Sequence, residues 1–219
     1  MDATLADTLV IKDDNVFLVT ARDGALTADG PHALGLWYRD CRFLSAHELL
    51  LNGEPPVQLQ ASDELGTSAV HDMTNPELTL DSGEGLAAQS LSLRWERLVS
   101  APALLRERLQ LRNHRSRPVQ LRFELLLAAD FEPMLAVRGL VPARERPPAQ
   151  VELDGTVLRF SARGRDDVVR TCAIELSAEP RGRAVAGRRP WRPGDGGNEV
   201  RSRPRRRWAV RVHAEGHGL

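Results

Sequence analysis

Two acidic side chains, Asp130 and Glu132, sit in Ala129-Asp130-Phe131-Glu132-Pro133, directly after a strongly apolar run. Two carboxyls are what glycoside hydrolysis needs, one as acid and the other as base or nucleophile. Such a pair is defined by its separation in space, which neighbours in sequence do not set. Glu132 before a proline reads equally as a loop charge, and Asp130 as the ion-pair partner of Arg138 in Ala136-Val137-Arg138-Gly139. No catalytic residue is therefore assigned. The densest mixture of aromatic and charged residues is Gly35-Leu36-Trp37-Tyr38-Arg39-Asp40-Cys41-Arg42-Phe43-Leu44-Ser45. There Trp37 and Tyr38 could stack on a sugar ring while Arg39, Asp40 and Arg42 hydrogen-bond its hydroxyls. Alternatively, Arg39 and Asp40 fix the start of a strand by ion pairing and backbone hydrogen bonds. The candidates for carbohydrate or interdomain contact are thus Trp37, Tyr38, Arg39, Asp40, Arg42, Asp130 and Arg138.

Other chemistries find less support. His32, His47, His71, His114, His213 and His217 lack the close spacing of a metal site or a catalytic pair and read as solvated or locally bonded side chains. Cys41 and Cys172 are far apart, each alone, and read as two buried free thiols. Gly194-Asp195-Gly196-Gly197 follows no strand and opens no helix, so it is no phosphate loop. No cofactor or metal is expected.

The elements that would position these residues follow a period of two, the spacing that sends alternate side chains to opposite faces of a sheet. Residues 16–20 form a β-branched and aromatic run ending at the turn dipeptide Asp23-Gly24, and 44–51 leads to Asn52-Gly53, a hairpin signal with a return strand at 56–60. Strands are read at 91–98, 104–113 and 119–127, neighbours that could form a meander. Val151-Glu152-Leu153 and Val157-Leu158-Arg159-Phe160 flank Asp154-Gly155 as a second hairpin, and 172–176 adds a strand. No long stretch keeps the 3.6-residue period of an amphipathic helix. The expected fold is an all-β, antiparallel two-sheet β-sandwich of supersandwich-like form.

Length and composition fit one such domain: 219 residues, 42% hydrophobic and 27% charged. No run approaches a membrane span, and Met1-Asp2-Ala3-Thr4-Leu5-Ala6-Asp7 lacks the basic-then-apolar order of a signal peptide, so a cytoplasmic protein with no membrane partner is expected. Net charge is zero but uneven. Residues 180–219 hold 11 Arg against 3 acids, and Lys12 is the single lysine, which points to a biased coding composition. The sandwich is accordingly placed at 9–179, and 180–219 is expected to be an irregular Arg/Gly/Pro-rich tail with a strand only at 208–212. Arg clusters contact phosphates, but Trp191 and Trp208 are too few for a stacking platform, so nucleic acid is not an expected partner.

Taken together, several segments resemble the N-terminal domain of bacterial glycogen debranching enzymes of the amylo-α-1,6-glucosidase type. They are 12–20, 35–45 with Leu49, Leu51, Asn52 and Gly53, then Asn75-Pro76, Glu107-Arg108-Leu109 with Asn113 and Pro118, and Ala129-Asp130-Phe131 with Val137-Arg138-Gly139. The resemblance covers residues 9–176. It implies a β-sandwich preceding an (α/α)6 catalytic barrel that carries the glycosidase carboxylates, with this chain an accessory domain packing on that barrel in cis or in trans and possibly touching an α-glucan. A free-standing carbohydrate-binding module is the alternative. Cys41 stands where the family tends to have Thr, Glu132-Pro133 where Ala-Asp is common, and Ala136 where Glu is common. The abrupt change at 180 suggests a truncated or frame-shifted coding sequence.

Overall fold

The computed structural model describes residues 8–27, 33–63, 66–141, 148–177, 198–201 and 206–217. It is an antiparallel β-sandwich. One layer is an eight-stranded sheet; the other consists of a four-stranded and a three-stranded sheet side by side. The four-stranded sheet is built in chain order from β1 (Thr8–Asp13), β2 (Val16–Ala21), β3 (Gly35–Tyr38) and β4 (Cys41–Leu44). After a bend at Ser45 the chain continues as β5 (Ala46–Leu51), which belongs to the three-stranded sheet, so one bent strand passes from the first sheet to the second. Ser45 N–H donates to Ala128 O at 2.9 Å, closing the junction.

The eight-stranded sheet begins with β6 (Val57–Ser62) and β7 (Ser68–Thr74). After a two-stranded ribbon of β8 (Leu78–Thr79) and β9 (Gly85–Leu86) it adds β10 (Leu91–Ser100) and β11 (Leu104–Asn113). Then β12 (Gln120–Ala128) crosses to lie beside β5, and a single turn of helix, α1 (Met134–Val137), follows. The hairpin β13 (Gln150–Asp154) and β14 (Val157–Arg163) and the strand β15 (Val169–Leu176) return to the large sheet, β16 (Asn198–Arg201) pairs with β12, and β17 (Arg206–His217) completes the fold. The order of the large sheet is β13-β14-β15-β17-β11-β10-β7-β6.

Two sequence readings need correction. Asn52 and Gly53 both adopt left-handed backbone, as a tight turn after β5 requires. The ladder nevertheless ends after the single bridge Leu51–Glu54, because Pro55 and Pro56 have no N–H to extend it, and β6 pairs with β7 instead. The expected meander stops at two strands. β10 and β11 pair along their full length, but Pro118 follows the turn and β12 joins β5 in the opposite layer. Within 180–219 the structure describes β16 and a twelve-residue β17, the latter in the middle of the large sheet. The alternation Trp208, Val210, Val212 supplies the reason: register sets these residues opposite Leu109, Glu107 and Leu105, the buried row of β11. A strand there satisfies backbone groups of both β11 and β15 that would otherwise be open edges. Residues 180–197, with Trp191 and Gly194, and His32 lie outside the described residues.

The core between the layers is two apolar clusters. One gathers Ile11, Leu18, Leu36 and Leu44 from the four-stranded sheet against Val99, Leu105, Leu158 and Ile174. The other gathers Leu49 and Leu51 of β5 and Leu121 of β12 against Met73, Leu93, Trp95 and Leu109. At the seam, each crossing strand places a polar residue where the period calls for an apolar one: Ala69-His71-Met73 on β7, Trp95-Arg97-Val99 on β10, Leu105-Glu107-Leu109 on β11, with His47 on β5. Arg97 and Glu107 are cross-strand partners, and their side chains are 1% and 2% exposed. Arg97 Nε donates to Glu107 Oε1 at 2.7 Å, and an Nη1 hydrogen bond reaches Gly24 O. The guanidinium carbon lies 3.5 Å from the Trp95 ring centroid. His47 Nε2 lies 2.9 Å from Glu107 Oε2, which requires the proton on Nε2. Burial alone would push Glu107 up, but the His47 and Arg97 charges and hydrogen bonds bring it down to about 2. For His71, burial and then the Arg97 charge lower the pKa to about 4, against a backbone hydrogen bond to Arg22 and the Glu107 charge. Gly24 has φ of +86°, and a Cβ there would lie 3.1 Å from His71 and 3.2 Å from Arg97, so glycine lets the turn close over the cluster.

Candidate functional site

Most of the candidate residues gather at the outer end of β3 and β4. Register places Phe17, Trp37 and Arg42 side by side on three adjacent strands. Phe17 and Trp37 stack with ring centroids 5.9 Å apart and planes 6° apart, and the Arg42 guanidinium lies 5.8 Å from the Trp37 centroid. Gly35 makes this possible, since a Cβ at that position would lie 2.6 Å from Arg42 Cδ, so only glycine lets the arginine stem cross β3. Trp37 is therefore 2% exposed, and its indole N–H donates to Ala33 O at 3.2 Å. It is a covered packing residue, the structural one of the two roles its sequence neighbourhood allows. Tyr38 is half-buried, edge-on to Phe43 at 6.1 Å and capped by Arg39 at 5.2 Å.

Arg42 reaches across to Asp130. Its Nε lies 3.2 and 3.1 Å from the two carboxylate oxygens, and an Nη2 bond completes a bidentate pair, while Nη1 donates to Leu34 O at 3.2 Å. This overturns the expected Asp130–Arg138 pair: Arg138 caps the C-terminus of α1 through its backbone and is exposed. The turn that presents Asp130 is strained, because the buried Phe131 adopts φ of +52°. Two backbone hydrogen bonds, Arg42 N–H to Glu132 O at 2.9 Å and Met134 N–H to Asp40 O at 2.8 Å, hold it as an antiparallel bridge between Cys41 and Pro133. Arg39 and Asp40 form the β3–β4 turn, with Arg39 at φ +53° and its N–H donating to Asn15 O at 2.8 Å.

Beside Asp130 opens a cleft of about 370 Å³, bounded on the far side by the β14–β15 hairpin end, notably Ser161, Arg163, Gly164 and Arg170, with Gln150 of β13. Arg170 Nη1 and Nη2 donate to the Asp166 oxygens at 3.0 and 2.7 Å, and this arginine holds Asp166 well below the usual carboxylate range. The same arginine interacts with Cys41, which is half-buried, where a buried thiol was expected; Cys172 is buried, and burial pushes its thiol up. Sequence reasoning missed Gln150, Ser161 and Arg170. The usable signal was Gly164-Arg165-Asp166-Asp167, a turn whose acids can fold back onto the following strand. Among the described residues no group of three or more His, Cys, Asp or Glu could hold a metal ion. The arrangement offers ion pairs and hydrogen-bonding groups around a cleft, and the backbone N–H of Glu132 donates to Asp130 Oδ1 at 3.3 Å.

A family described as the N-terminal domain of (some) glycogen debranching enzymes matches residues 11–216, and the chain belongs to this family. The match runs beyond residue 176, where the resemblance read from sequence ends, and takes in β16 and β17. No curated protein matches the chain. No helix is long and apolar enough to cross a membrane among the described residues.

Proposed function

We propose that the chain is a non-catalytic accessory domain of a glycogen or α-glucan debranching-type glycosidase of the amylo-α-1,6-glucosidase type. It packs on an (α/α)6 catalytic barrel, in cis or in trans, and shapes the entrance to the substrate site, in the cytoplasm. The observation that carries this reading is membership, over residues 11–216, of a family of N-terminal domains of such enzymes. A surface feature supports it. Leu140 N–H donates to Leu135 O at 2.9 Å and Val141 N–H to the same oxygen at 3.3 Å, folding the loop after α1 back on itself. Leu135, Leu140 and Val141 are thereby drawn together while 54%, 69% and 40% exposed, with the exposed Arg138 within the same loop. Contiguous exposed apolar groups rimmed by charge are what an interdomain contact buries. The Arg42–Asp130 pair fixes the base of this loop. The reading as a free-standing carbohydrate-binding module loses its main support with Trp37 covered.

The test is capture of the separately produced catalytic domain by residues 1–219, read by size-exclusion chromatography and by the activity of the complex on a branched glucan. Co-elution is expected, and Leu140→Asp is expected to abolish it while leaving the chain folded. Absence of any complex at micromolar concentrations of both partners would sink the proposal.

A further inference from the structure

We propose that the cleft between the Asp130 turn and the end of the β14–β15 hairpin binds a sugar ring of a neutral oligosaccharide. The inference rests on the accessory-domain reading for the identity of the sugar as an α-glucan; its geometry does not.

The cleft has the size of a small-ligand site, about 370 Å³. Its charges are matched in pairs: Arg42 with Asp130, Arg170 with Asp166, and Arg163 with Asp167 at 3.9 Å. A phosphate or carboxylate ligand would have to compete with those acids for each arginine. A neutral ligand does not, and needs only uncharged groups that donate and accept hydrogen bonds. Between these pairs stand Gln150 and Ser161, directly opposite each other in the β13–β14 register, so that a carboxamide and a hydroxyl project side by side. Both groups donate and accept, as vicinal sugar hydroxyls do. Ala162, Val169 and Pro148 supply an apolar strip for the C–H face of a ring. Among the described residues no open aromatic face lines the cleft, since Phe131 is buried. The expected affinity is therefore weak, with Kd on the order of 1 mM. Gly164 shapes the rim: a Cβ there would collide with the Asp166 and Arg170 side chains and push the pair into the opening.

Saturation-transfer NMR and calorimetric titration of the full 219-residue chain with maltotriose test the proposal. Saturable binding is expected, weakened about fivefold by Gln150→Ala and by Ser161→Ala, each removing one hydrogen-bonding group. It should be unchanged by Leu59→Ala on β6, at the far edge of the sheet. Glucose 1-phosphate should bind no more tightly than maltotriose. No saturation, an unchanged affinity in the Gln150→Ala/Ser161→Ala double variant, or tighter binding of the phosphate would each overturn it. Capture of the catalytic domain, measured on the same proteins, separates the two readings. Intact capture without maltotriose binding removes only this inference, and maltotriose binding without capture removes only the accessory role.

Discussion

Two arginine–carboxylate pairs, each lying against a tryptophan, stand at different depths in this sandwich. Arg97–Glu107 links neighbouring strands through one Nε–Oε1 bond, and Arg42–Asp130 is bidentate and joins segments far apart in the chain. They differ in water. The first has side chains 1% and 2% exposed, the second 15% and 28%. At the seam the ions have no solvent to fall back on, so the guanidinium donates to Glu107 and to Gly24 O, the carboxylate faces Arg97 and His47, and the group holds the two apolar clusters together. At the surface the pair stands beside a cleft and at the base of a loop that carries exposed leucines. Burial decides which of the two pairs is structural and which can be used for recognition.

That contrast is sharpest where one partner is removed. Glu107→Gln leaves Arg97 buried without its counter-ion and is expected to cost about 3–5 kcal/mol in urea unfolding. The double replacement Arg97→Met with Glu107→Leu is expected to recover most of that loss, because burying neither ion is nearly as good as burying both. A loss under about 1 kcal/mol for Glu107→Gln would erase the distinction between the pairs. Acid acts on the same cluster. His71 is held at about 4 in the fold against 6.5 in the unfolded chain, so the unfolded chain takes up the proton first as pH falls. Its contribution is complete above pH 6.5 and is lost between 6.5 and 4, by up to ~3 kcal/mol. Glu107, lowered from 4.5 to about 2, adds a further loss below pH 4.5. Thermal melts from pH 7 to 4 should show the first slope in the wild type and a shallower one in His71→Leu.

At the surface pair the effects shrink. Gly35→Ala forces the Arg42 stem off β3 and is expected to cost about 2 kcal/mol by the same unfolding assay. Asp130→Asn is expected to change stability by less than about 1 kcal/mol, since the pair is partly solvated. If Asp130→Asn proved as damaging as Glu107→Gln, the division into structural and recognition pairs would be wrong.

The sandwich was legible because its strands alternate and its turn dipeptides are strong; the β13–β14 hairpin forms at Asp154-Gly155 as read. Pairing partners were less so, since Pro55-Pro56 and Pro118 redirect strands whose own patterns look continuous. The seam was in plain view as parity. Arg97 shares its row with Leu93, Trp95 and Val99, and Glu107 with Leu105, Leu109 and Leu111, but a charge among leucines reads as noise until three strands show it at one level. Of the surface site, the neighbourhood of Trp37, Arg42 and Asp130 was found. Its wiring was not, because the path of the Arg42 side chain depends on a glycine on the neighbouring strand, and the far wall of the cleft comes from residues 150–170.

The placement of β17 also bears on how the protein comes into being. Its partners on β11 lie about a hundred residues earlier, and without it the large sheet is two fragments, one from β6 to β11 and one from β13 to β15. On a ribosome the first fragment emerges, then the second, each with an open edge, and neither can be sealed until residues 206–217 leave the exit tunnel. A nascent chain stalled before that point would present two unguarded strands to its neighbours, so chaperone demand should peak there and fall once β17 has been inserted.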